Sequence, residues 1–163
     1  MSAVKGIAVE TDELRERWRE TAQHGGGYCP VCDRWGSVYR INLNETMAKS
    51  LIWLTRTPHA DASGWVEVPT KAPTFVLRSN QLPTLKHWGL VERMPNNDPS
   101  KKFSGIWRAT DKGRDFVNGT IRVPKKVYIY NDVVEAWSPE SANIGECFGE
   151  FFDYQDAMRS TWI

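Results

Sequence analysis

The sequence predicts an α+β protein, and three patterns carry that prediction. Apolar residues recur every three to four positions in residues 11–23 and 45–56, as one face of a helix requires. Residues 38–43, 91–93 and 105–108 have the short, alternating character of strands. Residues 127–130 and 133–137 flank Asn131-Asp132, a pair suited to the positive φ angles of a tight hairpin turn.

Taken in order, the first helix carries Leu14, Trp18 and Ala22 at four-residue intervals on an otherwise charged surface, and His24-Gly25-Gly26-Gly27 ends it. Tyr28-Cys29-Pro30-Val31-Cys32-Asp33 then leads into the strand at 38–43. Asn44 is a good N-cap for a core helix over 45–56, where Met47, Leu51 and Leu54 share a face widened by Ala48 and Ile52. Trp65 to Val68 predicts a short strand and Thr74 to Arg78 a brief helix. Ser79 or Asn80 is expected to cap the next helix, whose first turn tolerates Pro83 and which ends at Trp88 with Gly89 as its stop. A long polar connection, Met94 to Ser104, joins two strands, and Thr110 caps a helix through Val117. Ile121-Arg122-Val123 then lead to the hairpin. Beyond Ser138 the chain is acidic, and Phe151, Phe152, Tyr154 and Met158 predict a small packed helix.

At 163 residues the chain is long enough to bury a real core but too short for a second large domain. Its 40% hydrophobic and 25% charged residues exclude a disordered or membrane class. The longest apolar run, Leu51-Ile52-Trp53-Leu54, falls far short of the ~20 residues of a spanning helix. The start, Met1-Ser2-Ala3-Val4-Lys5, lacks an apolar signal region, so a cytoplasmic location is expected. The net charge of +1 conceals an asymmetry: residues 61–126 carry twelve Lys/Arg against six Asp/Glu, whereas residues 127–163 carry one against seven. A basic middle therefore precedes an acidic end.

The segment Leu85-Lys86-His87-Trp88-Gly89-Leu90-Val91-Glu92-Arg93, followed by Gly105-Ile106-Trp107-Arg108-Ala109-Thr110-Asp111-Lys112-Gly113-Arg114, resembles winged-helix regulators of the broad MarR, PadR and ArsR kind. In those families a Gly-Leu step leads from a helix into the first strand of the wing, and the second strand leads into a Thr-x-x-Gly helix. The likeness covers roughly residues 44–118. It implies a winged helix-turn-helix core, with an N-terminal helix (1–27), a Cys-x-x-Cys knuckle and strand (28–44), the winged helix itself (45–119), and a β-hairpin with an acidic C-terminal segment (120–163). The knuckle ahead of such a domain, with the later Val-Pro-Lys-Lys-Val-Tyr-Ile-Tyr-Asn hairpin, is also similar to a class of small phage and bacterial proteins.

The winged-helix resemblance implies a DNA-binding regulator of phage or bacterial genes that pairs as a homodimer on two half-sites. Asn80, Gln81, Thr84, Lys86 and His87 would be the polar residues of its recognition helix. Asn and Gln suit adenine edges, and Lys suits guanine or phosphate. Lys101, Lys102 and Ser104 on the wing, with Lys112 and Arg114 nearby, would neutralise phosphates. Winged helices also dock proteins, and a cluster of carboxylates suits a basic groove on a partner. The competing expectation is therefore a protein-interaction module, such as a phage-encoded inhibitor of a host nucleic-acid machine, using Glu135, Glu140, Glu146, Glu150, Asp153 and Asp156. A third expectation has this acidic end folding back on the basic domain.

Cys29-Pro30-Val31-Cys32 has the spacing of half a structural zinc site, for which His24 is the nearest further ligand in sequence and Asp33 an oxygen donor. A metal-free knuckle and redox chemistry are the alternatives. Three cysteines are too few for a secreted disulfide framework. Trp53, Trp88 and Trp107 are expected in the core, whereas Trp35, Trp65, Trp137 and Trp162 are the candidates for stacking on bases or partners. The three histidines show no nucleophile-and-base pattern, and Gly25-Gly26-Gly27 lacks the Lys-Ser/Thr of a phosphate loop, so a non-enzymatic protein is expected.

Overall fold

Helix α2, Glu45–Arg56, begins where the sequence places it because the Asn44 side chain accepts a hydrogen bond from the Met47 N–H at 2.9 Å. In the computed structural model, residues 2–149 are described, with side chains from residue 11 onward. The predicted helix at Phe151–Met158 and Trp162 lie outside the described residues. The protein mixes helix and sheet, and its chain divides into two compact units: residues 1–41 with 126–137, and residues 42–125 with 138–163.

The larger unit is assembled on α2, whose Met47, Ala48, Leu51, Ile52, Trp53 and Leu54 are buried. After it come β4 (Val66–Glu67), α3 (Val68–Lys71), α4 (Thr74–Ser79), a 3-10 helix (Leu82–Trp88), β5 (Val91–Arg93), β6 (Ile106–Ala109) and α5 (Asp111–Val117). The three strands form an antiparallel sheet in the order β4-β6-β5, with Val66 opposite Trp107 and Glu92 opposite Arg108. Thr110 caps α5 by accepting from the Gly113 N–H at 3.1 Å. A Cβ on Gly113 would lie 2.0 Å from the Leu90 carbonyl oxygen, so only glycine lets α5 approach the start of β5. Further on, β7 (Val123–Pro124) pairs with β10 (Ser141–Ala142), and a short 3-10 turn spans Gly145–Cys147.

The segment before β5 departs from expectation. Asn80 does not cap a following helix; it closes α4 in the left-handed conformation, with φ 50° and ψ 34°, and its N–H bonds back to the Val76 carbonyl. Asparagine serves either purpose, and here the left-handed stop prevails. The chain then winds as a 3-10 helix rather than an α-helix. Leu82, Leu85 and Trp88 are spaced by threes, and three residues per turn stacks all of them on one face. Each is essentially removed from solvent, and the Trp88 indole N–H donates to the Pro124 carbonyl at 2.7 Å. Gly89 ends the helix at φ 71°, as predicted.

In the smaller unit α1, Ser2–Gln23, starts well before the predicted Thr11. Strands β1 (Gly27–Tyr28) and β2 (Trp35–Gly36) pair to form the arms of the cysteine turn. The Trp18 ring covers Gly36 so closely that a Cβ there would meet it at 2.6 Å. The Trp18 indole N–H donates to the Tyr130 hydroxyl, and the Val38 N–H donates to the Ala22 carbonyl. Strand β3 (Tyr39–Asn42) joins β8 (Lys126–Tyr130) and β9 (Val133–Trp137) in the order β3-β8-β9. The β8–β9 turn has Asn131 and Asp132 at φ 50° and 62°, the two positive angles that the sequence predicts.

Candidate nucleic-acid interface and cysteine knuckle

The sequence-predicted contact residues fall into three groups. In the 3-10 helix, Thr84, Lys86 and His87 are half-buried, because a seven-residue helix that buries Leu82, Leu85 and Trp88 has little outward face left. Gln81 precedes it, with its side-chain oxygen buried, and Asn80 is exposed at the α4 stop. Read as an α-helix with five polar residues on its outer surface, this segment is corrected by the structure: at ~2 Å rise per residue it is a tight, inward-facing helix.

A second group is committed to the fold. The Lys112 ammonium donates to the Trp88 carbonyl at 2.9 Å, closing the end of the 3-10 helix. Arg114 pairs with Asp111 at 2.5 Å and donates to the Ala109 carbonyl at 3.1 Å. The Ser104 hydroxyl donates to the Met94 carbonyl at 2.6 Å, fastening the base of the β5–β6 connection. These three side chains thus make contacts within the unit, with Lys112 and Arg114 also exposed.

The third group lies on the connection itself. Asn96 accepts from the Asp98 N–H and donates to the Lys101 carbonyl, while Asp98 accepts from both the N–H and the hydroxyl of Ser100. The Ser100 bonds hold the Asp98 carboxyl below its usual range. This network shapes the loop so that Lys101, Lys102 and Phe103 are exposed side by side. At the loop's base the Arg93 guanidinium lies 4.3 Å from the Phe103 ring centroid and 5.5 Å from that of Trp107, its cross-strand partner. Arg93 and Phe103 escape a reading based on helix polarity and lysine counting. Their signal is an arginine directly across from an aromatic on paired strands. Arg108 is occupied, stacked 4.1 Å over Trp65 and paired with Glu92.

Of the acidic residues, Glu135 and Glu140 are exposed. Glu146 is exposed as well and paired: Arg122 donates to both its oxygens at 2.9 and 3.1 Å, and this pairing lowers its pKa. Glu150, Asp153 and Asp156 lie outside the described residues.

At the knuckle, the Cys29 N–H donates to the Arg34 carbonyl at 2.7 Å and the Asp33 N–H donates to the Cys29 carbonyl at 2.9 Å. Asp33 takes a positive φ of 58° to complete the turn. Backbone hydrogen bonding from Cys32 and Val31, with a smaller contribution from the Cys32 thiol, holds the Cys29 thiol below its ordinary pKa. Both sulfurs line an open cleft of about 380 Å³ with Trp18, Trp35 and Tyr39. His24 does not join them: its Nδ1 bonds the Glu20 carbonyl at 2.7 Å, and among the described residues no three His, Cys, Asp or Glu side chains converge as ligands. Cys147, in the other unit, is half-buried near the Asn143 carbonyl, and burial pushes its thiol up to about 12.

No family model, curated protein or solved structure matches the chain. Among the described residues, no helix is long and apolar enough to cross a membrane.

Proposed function

We propose that the larger unit is a winged-helix module and that the protein is a non-enzymatic, DNA-binding regulator. The reading is supported by one arrangement above all: α2, then β4, then α3, α4 and the 3-10 helix, then β5 and β6 joined by a long exposed loop, with strand order β4-β6-β5. In such a module the loop is the wing. Lys101 and Lys102 supply phosphate contacts, and the Arg93–Phe103 pair supplies a cation backed by an apolar ring. With Lys86 and His87 half-buried, this reading shifts the weight of contact from the helix to the wing.

Fluorescence anisotropy with a labelled duplex across a salt series tests it. Each phosphate neutralised contributes about −0.9 to the slope of log affinity against log salt, so K101A/K102A is expected to make the slope shallower by roughly 2. An unchanged slope would remove the wing from the interface. Absence of duplex binding at low salt would remove the DNA reading and favour a protein partner.

A further inference from the structure

We propose that Cys29 and Cys32 form half of a tetrathiolate zinc site completed by the same two cysteines of a second copy of this chain, so that the metal is shared across a homodimer. The turn supplies two thiols at metal-ligand spacing: a two-residue gap, a left-handed Asp33 that closes the turn, and both cysteines on one open cleft. A structural zinc ion takes four ligands, and the chain cannot supply two more soft ones here. Its remaining thiol, Cys147, belongs to the other unit and bonds its own turn, and no third ligand converges on the pair among the described residues. The sequence outside those residues contains neither Cys nor His.

The surroundings fit a second copy as the source. Cys32 is exposed, and around it Tyr28, Val31 and Trp35 are 67%, 78% and 55% exposed, an apolar rim at the mouth of the site. A patch of this kind marks an association surface, and two copies meeting through the metal would cover both rims at once. Four thiols binding one Zn²⁺ release four protons and leave a site of charge −2, beside which each chain places Arg34, the only cation of the turn.

Zinc titration of the full-length chain, followed by sedimentation velocity and Co²⁺ absorption, tests the proposal. The expected result is saturation at one metal per two chains, a doubling of mass with metal that chelator reverses, and the intense thiolate-to-cobalt charge-transfer band of four sulfur ligands. C29S/C32S is expected to stay monomeric and metal-free with unchanged far-UV circular dichroism, and His24→Ala is expected to bind as the parent does. One metal per chain without a change of mass overturns the shared site, as does a metal-independent dimer. Loss of binding in His24→Ala overturns the four-thiolate set, and failure of the parent chain to bind zinc overturns both.

Discussion

The two units treat their apolar side chains in opposite ways. In the larger unit, Leu51, Ile52, Leu82, Leu85, Trp88, Leu90 and Phe116 are all but removed from water. In the smaller one only a few side chains, such as Ala22, Val127 and Ile129, are buried. Of the nine large hydrophobic residues exposed among the described ones, seven belong to the smaller unit and only Leu77 and Phe103 to the larger. The larger unit is thus stabilised from within, by burial at ~25 cal/mol per Å² of apolar surface. The smaller unit leaves aromatic surface for something else to cover, which is the condition a metal-linked second copy would satisfy.

The thiols should report this contrast most strongly. With its pKa raised to about 12, Cys147 is ionised in roughly one molecule in ten thousand near pH 8. Cys29 should therefore alkylate at least ~10³ times faster than Cys147 in chelator-treated protein. Comparable rates, read by mass spectrometry of the labelled peptides, would mean that the larger unit opens readily.

Next in size are the tryptophans. Trp88→Ala removes a buried ring and its bond to Pro124, and is expected to cost about 3–5 kcal/mol. Trp35→Ala loses mainly its edge-on contact with Tyr28 at 5.2 Å, and should cost less than ~1.5 kcal/mol. Denaturant midpoints of the two variants check the difference, and equal losses would contradict a core confined to the larger unit. The smallest effect is expected at the start of α2, where Asn44→Ala removes the side-chain acceptor for the Met47 N–H. A loss of ~1 kcal/mol should appear in the same measurement, with Asn44→Asp close to neutral.

How far the fold was legible follows from the range of the forces involved. The Asn44 cap, the α2 stripe, the Gly89 stop, the Thr110 cap and the Asn131-Asp132 turn were each readable, because each is decided within about four residues of itself. Asn80 was misread because an asparagine at a helix boundary serves equally as an N-cap and as a left-handed stop, and nothing nearby distinguishes the two. The candidate site was less legible still. Lysines counted as phosphate ligands include Lys112, whose partner is a carbonyl 24 positions away, and Glu146 meets an arginine equally distant in sequence.

The sequence by itself determined the α+β class, the Asn44 and Thr110 caps, the Gly89 stop, and the pair of cysteines at metal-ligand spacing, since these depend on side-chain chemistry and local backbone preference. Tertiary structure alone decided which charges remain exposed, that Leu82, Leu85 and Trp88 stack on one buried face of a 3-10 helix, that α5 packs against β5 through Gly113, and that no third ligand joins the knuckle among the described residues. These are outcomes of packing and long-range pairing, in which a side chain's partner is chosen by the fold and not by its neighbours in the chain.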